Sequence, residues 1–145
     1  MFFHMKDKNA VIKHLNDILE LELAGVVRYL HYSLMARGPG RIPVVKFFQE
    51  QAMESFEHAA KIGEKITALG AHPSLAVKAV PDTKTHATIE ILKESMAFEK
   101  EAIEMYRKLI PLVEGDIPLE ELAREMVRME TEHVEEVAKM VEQNA

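Results

Sequence analysis

From about Asn9 to Ala36 the apolar residues recur at i, i+3, i+4 and i+7: Val11, Ile12, Leu15, Ile18, Leu19, Val26 and Tyr29, with Glu22 on the same face. A helix of that length with one apolar stripe must bury the stripe against other elements, and no stretch of this chain reads as a strand. The partners are therefore helices. Gly38-Pro39-Gly40 stops the first, and a second runs from about Pro43 to Leu69, with Pro43 tolerable in its first turn and Gly70 as a C-terminal stop. A third runs from about His86 to Val113, and Glu114-Gly115-Asp116 forms a tight turn. Asp116 then caps a fourth helix, with Pro118 in its first turn and an end near Gln143.

Connection lengths set the order in space. The short turns at Arg37 to Ile42 and Glu114 to Ile117 make helices one and two antiparallel, and likewise three and four. Between Gly70 and Thr85 a stretch with Pro73 and Pro81 reads as a connection. Its roughly 15 residues at ~3.3 Å each span about 50 Å, more than the ~39 Å of a 26-residue helix. It can cross the whole bundle, so the third helix starts at the same end as the second. The expectation is an all-α, single-domain chain over residues 1–145: a four-helix bundle of two antiparallel hairpins joined by one long crossover.

The hairpins also repeat each other in chemistry. Tyr29 follows Glu22 by seven residues and Tyr106 follows Glu99 by seven, while His58 lies 36 residues after Glu22 and His133 lies 34 after Glu99. Glu130 and His133 are three apart, so on a helix they reach one small object from one backbone segment. Superposing the hairpins on their histidines sets Ser55 where the second half has Glu130.

Such a bundle brings Glu22, His58, Glu99, Glu130 and His133 toward one point in its core. Three buried carboxylates and two imidazoles are costly without a cation. The chain has no cysteine, so a metal here takes oxygen and nitrogen ligands, which suit iron or manganese and tolerate zinc. Glu22 and Glu99 would each hold one ion and Glu130 would bridge two. Tyr29 and Tyr106 read either as hydrogen-bond partners of these ligands, able to lend an electron, or as ordinary core aromatics.

Taken together, Val11-Ile12-Lys13-His14-Leu15-Asn16, Glu22-Leu23 with Tyr29, Glu57-His58-Ala59, Ala97-Phe98-Glu99-Lys100-Glu101-Ala102 and Glu130-Thr131-Glu132-His133 resemble the bacterioferritin family of the ferritin-like superfamily. The resemblance covers nearly the whole chain. It implies a di-iron ferroxidase centre that oxidises ferrous iron with O2 or H2O2 and passes ferric iron to a mineral store inside a shell. It also implies Glu22 and Glu99 as terminal ligands, Glu130 as a bridge, and His58 and His133 as imidazole ligands. Glu22, Glu99, Glu130 and Tyr29 are the expected catalytic residues.

Three positions depart from the family pattern. Its second bridging glutamate belongs at Ser55, and the neighbouring Glu54 projects about 100° away, so it is expected to reach the centre only if the site rearranges. The family's haem-binding methionine falls at Phe56, so haem is not expected. The chain ends twelve residues after His133, without room for the family's short fifth helix, which puts the full cage in question. Two other readings keep the fold: a peroxide-consuming centre like rubrerythrin or manganese catalase, or a structural subunit with an impaired site.

The remaining features are bland. His4, His14, His31, His72 and His86 suit surface or capping roles, and the further glutamates a solvated acidic face. A net charge of −6, with only Lys6, Lys8 and Lys13 clustered near the start beside acidic neighbours, argues against a nucleic-acid surface. No membrane span or secretory segment is visible, so a cytoplasmic place is expected. An outer face with Met53 and Phe56 is the expected contact of a homo-oligomer, at least a dimer.

Overall fold

The computed structural model describes residues 7–142, and they form four long helices: α1 (Lys8–Met35), α2 (Arg41–Ala68), α3 (Thr88–Leu112) and α4 (Ile117–Val141). His4, Lys6 and the expected helix end near Gln143 lie outside the described residues. The starts follow the chemistry of exposed backbone donors. Asp7 accepts from the Ala10 N–H at 3.0 Å, and Asp116 accepts from the Leu119 N–H at 3.2 Å, as its position before Pro118 suggests. Gly70 and Gly115 take φ of +84° and +92°, left-handed values that let the chain turn sharply after α2 and α3.

α1 packs along α2 and α3 along α4, and α1 crosses to α3 between the hairpins. Residues 69–87 make the crossover, and their contacts advance steadily along α1. Asn16 Oδ1 accepts from the Ser74 N–H at 2.7 Å, the Glu20 carbonyl accepts from Lys78 N–H at 3.2 Å, and His31 lies 3.1 Å from Asp82. At the far end Arg37 N–H donates to the His86 carbonyl at 3.0 Å, and an isolated parallel bridge pairs Arg37 with Ala87. The connection thus returns the chain to the C-terminal end of α1, where α2 also begins. Helix α3 starts there and runs antiparallel to α1, which brings Met105 O within 2.7 Å of His14 Nε2. This is the arrangement of two hairpins and one long crossover that the connection lengths require. Among the described residues no helix is long and apolar enough to cross a membrane.

The apolar core is in two parts. Leu15 and Ile18 of α1, Ile62 and Ile66 of α2, Tyr106 and Leu109 of α3, and Ala123 and Met126 of α4 fill one end. Tyr29, Tyr32, Phe48, Leu92, Phe98 and Val137 fill the other. On α1, α2 and α4 the switch from one cluster to the other falls near a buried polar residue, Glu22, His58 and Glu130, and on α3 it falls between Ala102 and Tyr106, within two turns of buried Glu99. A charged layer therefore lies across the middle of the bundle, sealed by hydrocarbon on both sides.

Asn16 is the first clamp on the crossover, since its Nδ2 also donates to the His72 carbonyl at 3.4 Å. Asn16→Ala removes both contacts and leaves the part-buried Ser74 N–H without its acceptor. A loss of about 1–3 kcal/mol is expected in denaturant unfolding, with the slope of the transition unchanged. An unchanged midpoint would mean that the clamp contributes nothing.

Candidate metal centre

Each wall of the charged layer comes from a different helix. Glu22 projects from α1 and Glu99 from α3, and each is held by a tyrosine of the opposite hairpin. Tyr106 O–H donates to Glu22 Oε1 at 2.8 Å, and Tyr29 O–H donates to Glu99 Oε1. The antiparallel register of α1 against α3 makes these pairs cross. Tyr29 is itself fixed by stacking on Phe48 and by the edge of Phe98, with ring centroids 6.0 and 5.7 Å away. With one oxygen of each carboxylate engaged, Glu22 Oε2 lies 3.7 Å from His58 Nδ1, and Glu99 Oε2 is buried with no hydrogen-bond partner.

Glu130 stands between the two imidazoles. Its Oε1 is 3.2 Å from His58 Nδ1 and its Oε2 is 3.5 Å from His133 Nδ1. Neither nitrogen makes a hydrogen bond of acceptable geometry, although both are buried. Orphaned ring nitrogens in a buried layer are unusual, because buried polar atoms ordinarily find partners. Here they converge. Glu22, His58 and Glu130 offer three ligand atoms within 4.8 Å of one another, and Glu99, Glu130 and His133 offer a second such set. Two oxygen-and-nitrogen sets sharing one carboxylate fit a pair of divalent cations.

The ionisation of the layer without metal shows the same demand for positive charge. Burial works against a charged His58, but the Glu130 and Glu22 carboxylates outweigh it and push the imidazole up to about 10. His133, opposed by burial and supported by Glu130 and Glu54, also rises to about 10. Burial lifts Glu99 to about 8 and raises Glu22 as well, whereas the two imidazoles overcome burial at Glu130 and hold its carboxyl below the usual range. At neutral pH protons occupy the place that cations would take.

Ser55 is buried against α1, where a Cβ on Gly25 would come within 2.7 Å of its Oγ, so α2 sits directly on the α1 backbone at this level. Glu54 is in neither donor set, in keeping with its angle to Ser55, but without any rearrangement it touches the outer side of both imidazoles. Its Oε2 is 3.1 Å from His133 Nε2 and its Oε1 is 3.8 Å from His58 Nε2. The reason is helical geometry: Glu54 precedes His58 by four residues, about 400°, so the two side chains stand on nearly the same face. That spacing was the available signal. His14, His31 and His86 instead contact Met105 O, Asp82 and Met35 O, remote from the layer. Met53 and Phe56 face outward, 61% and 57% exposed, and Val27, Leu30 and Leu34 of α1 are exposed as well.

Cation binding must displace these protons, so affinity rises with pH. Two equivalents of zinc added at pH 7 in weak buffer are expected to release about three protons per chain, one each from His58, His133 and Glu99. Release measured with an indicator dye should decline as the starting pH passes 8, where Glu99 is already ionised. Release that is absent at pH 7 would contradict this charge assignment.

Comparison with known proteins agrees with the architecture. The family model for ferritin, the ferritin-like domain, matches residues 12–144. The chain is 29% identical over 133 residues to a bacterioferritin of Rhodobacter capsulatus, covering 90% of this chain and 82% of that protein. The crystal structure of a ferritin-like, diiron-carboxylate protein from Bacillus anthracis str. Ames superposes with a TM-score of 0.86 at 25% identity, covering 96% of this chain and all of that one. The structure of Rhodobacter capsulatus bacterioferritin, with a metal-free dinuclear site and haem iron, gives 0.84 at 25% identity, covering 94% of this chain and 86% of that one. With its helices, its crossover and its sequence all matching along nearly the full length, the chain belongs to the ferritin family as a bacterioferritin-like member.

Proposed function

We propose that this chain binds two ferrous ions in its charged layer and oxidises them, a ferroxidase-type reaction with iron as substrate. The observation that carries the reading is Glu130, one carboxylate shared by two three-donor sets. Similarity to a bacterioferritin and to a diiron-carboxylate protein supports iron as the metal.

In this reading Glu22 with His58 holds one ion and Glu99 with His133 holds the other, while Glu130 spans both. Paired ferrous ions would supply two electrons, one each, which with two protons reduce O2 to H2O2 or H2O2 to two waters. The protein's own contribution is placement. Tyr106 and Tyr29 fix one oxygen of each terminal carboxylate and turn the other toward the ions. The apolar clusters on both sides exclude water, which strengthens the attraction between carboxylate and cation. Imidazole protons leave as the ions enter. Tyr29, hydrogen-bonded to Glu99 and packed among Phe48, Tyr32 and Phe98, would in this reading keep the Glu99 carboxylate oriented. Phe56 has no ligating atom, so haem is no part of the proposal. The exposed apolar residues Met53 and Phe56 suit a contact between copies of the chain.

Glu130→Ala is expected to lower the rate of ferrous oxidation, followed by ferric absorbance, to that of a protein-free control. Glu132→Ala is expected to leave it unchanged, because Glu132 is exposed and pairs with Arg128 at 3.0 Å. Full activity in Glu130→Ala would overturn the reading.

A further inference from the structure

Both histidines of the layer present Nδ1 to Glu130 and Nε2 to Glu54. The distances are 3.2 and 3.5 Å on the Glu130 side, and 3.8 and 3.1 Å on the Glu54 side. The two oxygens of Glu54 are divided, Oε1 to His58 and Oε2 to His133. One carboxylate thus backs two imidazoles carried by different helices.

We propose that Glu54 is a positioning residue that fixes both imidazoles in the tautomer with Nδ1 free to bind metal, a role that rests on the two-ion reading above. A neutral imidazole carries one N–H, and the nitrogen that donates it cannot also ligate. A carboxylate facing Nε2 draws the proton there and leaves the Nδ1 lone pair pointing inward. His58 needs such an acceptor, because its Nε2 is buried with no hydrogen-bond partner. Closing 3.8 Å to an ordinary hydrogen-bond length takes a movement of just under about 1 Å, within reach of a flexible glutamate. At 24% exposure Glu54 keeps contact with the outer groove lined by Lys46, Gln49, Glu50, Met53 and Glu57, so it can make that adjustment without repacking the core.

The position also gives Ser55 a meaning. On the inner side of α2 the serine leaves the layer with Glu130 as the sole carboxylate between the imidazoles, and on the outer side Glu54 supplies a second carboxylate that links them. Its link passes through nitrogen rather than metal. The pair of histidines is therefore clamped from both sides by carboxylates of α2 and α4.

The test uses zinc-loaded full chain, Glu54→Ala and Glu54→Gln, with helix content checked by circular dichroism. Nitrogen-15 correlation spectra of the histidine rings report which nitrogen carries the proton, and competition with a chelator reports affinity. The wild type is expected to bind two zinc ions, with Nε2–H on both His58 and His133. Glu54→Ala should keep two sites but lose about 10- to 100-fold in affinity, with faster exchange of both Nε2 protons. Glu54→Gln, with one acceptor oxygen, should retain protection at one imidazole only. Wild-type affinity and unchanged proton exchange in Glu54→Ala would overturn the proposal while leaving the two-ion site intact. A fall to one bound ion in Glu54→Ala would also overturn it, by making Glu54 a ligand. A wild type that binds no zinc would overturn both readings together.

Discussion

The structure turns on one carboxylate held between two imidazoles in a dry layer. Glu130 is 5% exposed and sits within 3.5 Å of His58 and His133, with Glu22 and Glu99 buried beyond them. Isolated, any of these charges would be expelled by the apolar surroundings. They persist because each neutralises the next. Without metal the compensation is made by protons, as the raised imidazoles and the raised Glu99 show. Two divalent cations can make the same compensation with better geometry, since the unengaged lone pairs already converge.

The rest of the fold makes such a layer tolerable. The two apolar clusters lie above and below it and keep water from all but the Glu54 side. The crossover, clamped at Asn16, Glu20, His31 and Arg37, fixes α3 antiparallel to α1. That register decides which tyrosine meets which glutamate. A crossover that returned the chain to the other end of the bundle would reverse α3, and Tyr29 and Glu99 would no longer meet. The longest loop in the chain therefore governs geometry at its centre.

Much of this was legible in the sequence because it depends on regular periods. The 3.6-residue recurrence and the glycine and proline stops locate four helices to within a few residues, and the connection lengths leave one sensible topology. The spacings from Glu22 to His58 and from Glu99 to His133 place these residues at one level of the bundle. Features that depend on pairing between helices were hidden. Nothing in the spacing of Tyr29 from Glu22 says that its hydroxyl serves Glu99, since that follows from the α1 and α3 register. The angle of Glu54 from Ser55 keeps it out of both donor sets but does not tell that it touches the imidazoles. Measured from His58, four residues on, the same helix geometry puts it beside the imidazole, and contact with His133 then comes from α4. Ser55 itself gives no sign in sequence that it packs on the backbone at Gly25.

In the proposed function two ions share Glu130. The most direct measurement is an anaerobic titration of metal-free chain with ferrous iron, counting bound ions before any oxidant is present. The expected endpoint is two ions per chain, both converted to ferric iron when oxygen is admitted. An endpoint of one ion or none, with no oxidation above the protein-free control, would contradict it and leave the layer as a structural remnant.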